Sequence, residues 1–456
     1  MSHDSTRLFG TDGIRGHFGE PPLERGTVTA LAVHLAATLR ERAENGAAPR
    51  VVLGGDTRES TPEICRWLAA GLLAGGVEVR YAGVIPTPGV AYLARETGAD
   101  AGVVVSASHN PYPDNGIKLI DPLGTKWSDE DELALERRLK ASPSGPLPDL
   151  PEGRPAVEPE LRELYLRHLA STVPGERPLA GLRVVLDTGN GAASAYAGEL
   201  FERLGAGVTL LHAAPDGRNV NERCGSTAPD EMAARVVAEG ADLGAAFDGD
   251  ADRCILADEK GEVRDGDAIL YLWATCLHRS GRLDPPRIVA TSMSNLGLER
   301  ALKAEGIGIV RCAVGDRYVV EAMRKAGILL GGEQSGHIVQ SHLASTGDGL
   351  LTAVQMAFLR HQDGRPLSAM LAPFRRYPQV LLNVRVKRKV DFKALPAVTS
   401  TASSVEERLG DDGRLVLRYS GTEPLARIMI EGPEQGAIDA LAEELAVAIR
   451  GELGGA

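Results

Sequence analysis

The sequence is short of cysteine, of positive charge and of long apolar runs, and each shortage removes a class of protein. Five cysteines (65, 224, 254, 276, 312) are scattered over 456 residues with no C-x-x-C spacing. An odd, dispersed set excludes a disulfide scaffold and reads as free thiols in a reducing cytosol, several of them buried. Acid exceeds base, 62 Asp+Glu against 50 Lys+Arg, for a net charge of −12. That balance argues against a nucleic-acid surface, yet a few arginines can still build a local phosphate site in an acidic protein. No uninterrupted apolar segment is long enough to span a bilayer, and the opening Met1-Ser2-His3-Asp4 has no signal-peptide pattern. The expectation is a cytoplasmic protein with no nucleic-acid and no membrane partner. What is present, 43% hydrophobic and 25% charged residues, suits a globular chain of roughly three domains by length.

One pattern recurs three times. Arg50-Val51-Val52-Leu53, Arg183-Val184-Val185-Leu186 and Arg287-Ile288-Val289-Ala290 are apolar strands, each running through a polar turn into a helix. Those helices carry Ile64, Leu68 and Leu72, then Leu200 and Leu204, then Leu298 and Leu302 at helical spacing. A glycine and a second strand follow (77–79, 208–210, 307–309), then another helical stretch and a third strand. The third strands end in Ser-Ala-Ser-His-Asn-Pro (106–111), Asp-Gly-Asp-Ala-Asp-Arg (248–253) and Gly-Glu-Gln-Ser-Gly-His (332–337). Six prolines between Pro143 and Pro159 mark one linker, and the helical pattern stops again around Gly364-Arg365-Pro366 and Pro373. Beyond lie an alternating strand (380–386) and an amphipathic helix with Ile438, Leu441, Leu445 and Ile449 on one face. The fold class expected is α/β: three repeated mixed-sheet α/β domains (1–155, 156–257, 258–370) and a C-terminal α+β domain (371–456).

Chemistry concentrates in the loops at the strand ends, where open α/β sheets collect ligands. Two serines beside a histidine, after the buried-strand pattern 101–105, could set a nucleophile against a proton-transfer group; an ordinary strand-to-loop turn is the competing reading. Asp248, Asp250 and Asp252 are too close to coexist as carboxylates without a cation, and hard oxygen ligands suit Mg²⁺ or Ca²⁺. An EF-hand is a rival, with Glu259 at its twelfth position. It fails on Arg253, which stands where that loop needs glycine, and on the flanking strands. A phosphatase with an aspartate nucleophile in D-x-D is another, but Asp252 occupies the position where Thr or Val is expected. Metal binding is the favoured reading. The loop 332–337 offers a carboxylate, an amide, a hydroxyl and an imidazole, a set suited to a polyhydroxylated ligand. Arg418, Ser420, Thr422 and Arg427, with Gly421 between them, suit a phosphate, although a plain β-hairpin turn would use similar residues. Together the loops point to phosphoryl transfer on a sugar phosphate.

With these motifs in hand the sequence resembles the α-D-phosphohexomutase family, and within it the bacterial phosphoglucosamine mutases. The resemblance rests on Phe9-Gly-Thr-Asp-Gly-Ile-Arg-Gly16, 106–111, Asp114-Asn-Gly-Ile-Lys118, Asn221-Glu-Arg-Cys-Gly-Ser-Thr227 and 248–253. It continues through Val314-Gly-Asp-Arg-Tyr-Val319, 332–337, Thr346-Gly-Asp-Gly-Leu-Leu351 and Ser420-Gly-Thr-Glu-Pro424. It covers essentially the whole chain and implies four domains around a central cleft. It implies Ser108 as the phosphoserine, with one Mg²⁺ held by Asp248, Asp250, Asp252 and an oxygen of that group. His109, Lys118, Arg15, Arg253 and His337 are the further catalytic residues it implies. Arg317, Glu333 and Ser335 would meet the sugar phosphate, and Arg418, Ser420, Gly421, Thr422 and Arg427 would clamp its non-reacting phosphate. The implied reaction interconverts glucosamine 6-phosphate and glucosamine 1-phosphate, with a bisphosphorylated sugar as intermediate and activator; phosphomannomutase/phosphoglucomutase activity is the alternative. The partner implied is a hexosamine phosphate, and a homodimer is one assembly the resemblance allows. Pro113, Thr188-Gly189 and Ala313 depart from the usual family pattern without touching an implied ligand.

Overall fold

The structure, a computed structural model, describes residues 7–10, 12–43, 46–141, 149, 155–420 and 424–454. The three repeats form three sheets with one strand order. In the first sheet, Glu78–Val84, Arg50–Gly55 and Ala101–Val105 lie parallel, Asp114–Ile120 returns antiparallel and Ile14–His17 closes the edge. In the second, Gly207–Leu211, Arg183–Asp187 and Leu243–Phe247 lie parallel, followed by antiparallel Cys254–Asp258 and Val263–Arg264. The third runs Gly308–Cys312, Arg287–Thr291, Leu330–Gly332 and antiparallel Ile338–Gln340. In each sheet the first strand of the repeat lies between the second and the third. The third strand therefore sits deep in the sheet: every residue of Ala101–Val105 and of Leu243–Phe247 is buried. This explains their continuous apolar character and fixes where their polar loops emerge.

Helical periodicity locates the cover of the first sheet. Val28, Leu31, Leu35 and Leu39 of helix Arg25–Arg42 bury one face against Ile64, Leu68 and Leu72 of helix Thr61–Ala74 and against the strands. Each such buried side chain contributes about 1.5–3 kcal/mol. The two helices close on Gly71, where a Cβ would lie 2.5 Å from both Ala32 Cβ and Thr29 O. The proline-rich linker falls mostly outside the described residues. Its last proline opens helix Pro159–Ser171, in the first turn where the missing N–H costs nothing. The helix expected through Leu200 and Leu204 is the short Ala197–Arg203, preceded by a 3₁₀ turn over Ala192–Ala195.

The chain divides into two compact units. One runs to Met293 and resumes over Ile309–Leu371; the other comprises Ser294–Gly308 and Ala372–Ala456. The second unit is α+β: antiparallel strands in the order Gln379–Arg385, Leu425–Glu431, Arg414–Tyr419, covered by helices Pro396–Leu409 and Gln435–Leu453. Ile438, Leu441, Leu445 and Ile449 pack on Ile428 and Ile430. Helix Leu296–Ala304 belongs to this unit and is tied to it by Glu431, whose carboxylate is fully buried. Glu431 accepts hydrogen bonds from Asn295 Nδ2 (3.0 Å), Leu296 N (3.2 Å) and Arg414 (2.6 Å). Among the described residues no helix is long and apolar enough to cross a membrane.

Candidate active site

The buried strand Ala101–Val105 delivers its last residues into a nest of fixed partners. Ser106 Oγ donates to Asp56 Oδ2 (2.6 Å) and accepts from Ser108 N (2.9 Å), so its one proton is committed. Opposite it, Gly116 lies so close that a Cβ would be 2.3 Å from Ser106 O. Arg58, 1% exposed, is ion-paired with Asp56 and donates to Asn110 O (2.5 Å). Asn221 Nδ2, from the second repeat, donates to Ser108 O (2.9 Å) and Asn110 O (3.1 Å). These bonds hold Ser108 at φ +51°, in the left-handed region that L-residues avoid. Among the described residues the other non-glycine positions with positive φ are Asn190, His212, Asn221, Arg223 and Ala251, all in the loops of the second repeat. Backbone strain of this kind persists only where surroundings over-determine it, and it clusters at functional sites.

Ser108 Oγ donates to Asp248 Oδ2 at 2.6 Å, bringing together two loops 140 residues apart. Asp248, Asp250 and Asp252 each place a carboxylate oxygen within 4.8 Å of the others, and all three are buried. Burial, with Asp252 and Asp250 beside it, pushes Asp248 up. Asp252 is raised by burial and by Asp250. Burial also opposes ionisation of Asp250, but Lys118 and a hydrogen bond from Thr87 Oγ1 (2.6 Å) outweigh it and bring its pKa down to about 2. Lys118 is itself buried, a cost offset by Asp12 (3.0 Å), Asp250 (3.0 Å) and Asp252 (3.6 Å), which hold it charged. Arg15 completes the chain at 2.7 Å from Asp12. His109 Nδ1 is 3.4 Å from Ser108 Oγ. Burial and the neighbouring Arg253 push its pKa down to about 4, so the imidazole is neutral. Oδ1 of Asp250 and of Asp252 are buried and accept no hydrogen bond. Two such carboxylate oxygens beside a third acid are a donor set for a hard divalent cation.

The loop is no EF-hand. Strands Leu243–Phe247 and Cys254–Asp258 pair antiparallel directly across it, and Glu259 accepts from Ser368 N (3.1 Å) instead of facing the acidic cluster. Around the third repeat's loop, Glu333 accepts from Gly315 N (3.0 Å) and acts electrostatically on Arg253. His337 is buried within electrostatic reach of Asp252, and neither of its ring nitrogens has a hydrogen-bond partner. Ser335 is exposed. Arg317 is ion-paired with Asp129 and lies over the Tyr318 ring, 4.8 Å from its centroid. In the second unit, Arg418 and Arg427 stand directly opposite each other on antiparallel strands. Like charges so placed repel and favour a bound anion. Ser420 is buried, and Lys389 Nζ donates to its carbonyl at 2.6 Å; Gly421 and Thr422 lie outside the described residues. The sequence assigned no role to Asp12, Asp56, Arg58, Thr87 or Asn221, although Asp12 and Asn221 lie in motifs that carry the resemblance. Asp56 stands at the end of a first-repeat strand, so its position at the sheet's carboxyl edge was the available signal.

This fold and this cluster define a family. The chain belongs to the phosphoglucomutase/phosphomannomutase family. Its alpha/beta/alpha domains I, II and III match residues 6–145, 163–261 and 265–377, and its C-terminal domain matches residues 381–448. Within that family the chain is 45% identical over 447 residues to the phosphoglucosamine mutase of Solibacter usitatus, covering 98% of this chain and 99% of that one. It is 47% identical over 441 residues to the phosphoglucosamine mutase of Moorella thermoacetica, covering 95% and 97%. A phosphoglucomutase/phosphomannomutase family protein from Burkholderia thailandensis shares the fold at a TM-score of 0.78 and 23% identity, with 98% of each chain covered.

Proposed function

We propose that this chain is a phosphohexomutase that interconverts glucosamine 6-phosphate and glucosamine 1-phosphate, with Ser108 as the residue that carries the phosphoryl group. The observation that carries the assignment is the 2.6 Å contact of Ser108 Oγ with Asp248, in a loop whose other hydroxyl, Ser106, is already committed to Asp56 and to Ser108 N. Full-length relatives that carry the phosphoglucosamine mutase name support the activity.

Asp248, Asp250 and Asp252, with an oxygen on Ser108, are the residues that would hold Mg²⁺, one per chain; the uncommitted Oδ1 atoms of Asp250 and Asp252 fit it. When bound, the ion offsets the roughly −1.5 to −2 charges of a phosphoserine. The residues do the positioning. Asn221 and Arg58 fix the backbone at Ser108 and Asn110. Lys118, Arg15 and Arg253 present positive charge to the phosphoryl oxygens. The neutral His109, at Nδ1, is able to take or return a proton beside Ser108 Oγ. Glu333, Ser335, His337 and Arg317 are assigned to the sugar phosphate, and Arg418, Ser420, Gly421, Thr422 and Arg427 to the non-reacting phosphate. Transfer from Ser108 to the free hydroxyl yields a bisphosphorylated sugar; its other phosphoryl returns to Ser108, and the same bisphosphate primes an unphosphorylated chain. Catalysis of this kind is mostly positioning and charge stabilisation. The proposed domain division, 1–155, 156–257, 258–370 and 371–456, is supported by the number and order of the four family matches, of which the second and third run on to residues 261 and 377, and strand Val263–Arg264 pairs within the second sheet. The five cysteines, unpaired in the structure, fit a reducing cytoplasm.

Intact-protein mass spectrometry tests the assignment. A fraction of the wild type is heavier by one phosphoryl group. Ser108→Ala removes that species and lowers turnover on the order of 10⁴-fold or more. Phosphate mapped to Ser106, or to Asp248 as in an aspartyl phosphatase, overturns it.

A further inference from the structure

Asp187, His212 and Cys224 form a cluster that the phosphoryl-transfer site does not use. Asp187 ends the strand Arg183–Asp187 and His212 follows its parallel neighbour Gly207–Leu211, so both stand at the carboxyl edge of the second sheet. Cys224 reaches them from the loop that also carries Asn221. One ligand atom from each lies within 4.8 Å of the other two. Asp187 and Cys224 are fully buried.

The imidazole lies between two carboxylates, with Nδ1 3.1 Å from Asp187 Oδ1 and Nε2 3.4 Å from Glu231 Oε2. Nδ1 is buried and makes no hydrogen bond, so a cation shared with Asp187 would take the place of a proton there, and the remaining proton would sit on Nε2 towards Glu231. A carboxylate on the far nitrogen is how proteins commonly set a metal-binding histidine. Asp187 is anchored by Gly189 N on Oδ1 (2.9 Å) and by Gly225 N on Oδ2 (3.0 Å), and each oxygen keeps a lone pair. Cys224 Sγ has one weak neighbour, Asn190 Nδ2 at 4.0 Å. Burial and the carboxylates of Asp187, Glu222 and Glu231 push the thiol up to about 12.

We propose that Asp187, His212 and Cys224 are a second cation site, of carboxylate–imidazole–thiolate type, which takes a zinc-class ion. On binding, a metal–sulfur bond forms, the Cys224 proton leaves to solvent, and the ion sheds water for the three protein atoms. A soft sulfur and a nitrogen separate this site from the all-oxygen set of Asp248, Asp250 and Asp252. Its occupant braces the loop on which Asn221, three residues before Cys224, reaches Ser108 O and Asn110 O.

The probe is Co²⁺ added to untagged full-length protein that has been stripped with chelator and returned to excess Mg²⁺. The wild type gains one equivalent of a thiolate-to-cobalt charge-transfer band and releases one proton. Cys224→Ser abolishes the band, Cys276→Ser keeps it, and Glu231→Gln shifts half-saturation to about 10–100-fold higher Co²⁺. Absence of the band in the wild type, or its survival in Cys224→Ser, overturns the proposal. If circular dichroism shows that Cys224→Ser is misfolded, Glu231→Gln decides alone, and an unchanged Co²⁺ affinity in that variant overturns it.

Discussion

Around Ser108 several hydrogen bonds come from other loops, whereas in the Gly332–His337 loop Ser335 is exposed and both His337 ring nitrogens lack partners. Ser106, Asp56, Arg58, Asn110 and Asn221 form a linked set of hydrogen bonds, and Thr87 and Lys118, the latter also paired with Asp12, contact the acidic cluster. On the proposed function the contrast separates two tasks. A centre that repeats one chemical step on either end of a sugar gains from being fixed in advance, since ordering costs are then met during folding. A loop that reads a variable ligand must leave donors and acceptors open for it.

Removing one carboxylate should break the fixed centre most severely. Asp250→Asn takes charge from the acidic cluster and from Lys118 together, so turnover should fall by on the order of 10³-fold while circular dichroism stays native. Activity within tenfold of the wild type, or full activity in excess chelator, would remove Asp250 from the machinery.

Asn221→Ala asks whether preorganisation itself matters. It deletes two hydrogen bonds to the Ser108 loop and nothing that touches substrate. A loss of about 1–3 kcal/mol predicts roughly 5- to 150-fold in kcat with KM unchanged. A change confined to KM would show that the loop is not held for chemistry.

Opening the other side of the comparison, Glu333→Ala should alter the ranking of glucosamine, glucose and mannose phosphates. Arg418→Ala should lower kcat/KM about ten- to a hundredfold on all of them alike, in both directions, as loss of one charged hydrogen bond costs about 1.5–3 kcal/mol. A wild type that prefers mannose or glucose phosphate by a wide margin would move the activity to the phosphomannomutase/phosphoglucomutase alternative.

The last effect is on stability and leaves turnover alone, and it comes from a buried acid with no place in either region. Burial pushes Glu132 up to about 7 despite Lys126 at 3.6 Å. With the folded pKa above the unfolded one, its stabilisation is complete at acid pH and is lost as pH rises towards and through about 7. Glu132→Gln should therefore be more stable than the wild type at pH 8, by up to about 3 kcal/mol, and the gap should shrink as the pH is lowered. Thermal denaturation at several pH values measures it; a gap that does not vary with pH removes Glu132 as its source.

The sequence made the repeat visible because strand periodicity and the polar loop at each third strand's end are local properties of the chain. While the choice of Ser108 rests on the family resemblance, the loop with Ser106 and Ser108 and the loop with the three aspartates were visible for the same reason, each following a buried strand. Their partners were not. Thr87 meets Asp250 across 163 residues and Asn221 meets Ser108 across 113, and nothing in the neighbourhood of either residue encodes such a meeting. Glu259 fitted the twelfth position of a calcium loop by spacing alone, and only the fold turns it towards Ser368. Asn295 caps helix Leu296–Ala304, accepting from Gly297 N at 2.9 Å. That its amide also binds the buried Glu431 is a consequence of packing.

The attachment at Glu431 bears on how this protein can be dissected. A cut at residue 371 looks natural on the linear map, yet it would leave Ser294–Gly308 behind. The isolated fragment would then present Glu431 with Arg414 still bound to it but with the Asn295 and Leu296 donors gone. Gene fusions, split reporters and recombination between homologues would meet the same obstacle. The C-terminal module is encoded in two pieces, and a single crossover that carries both also carries residues 309–371 of the other unit.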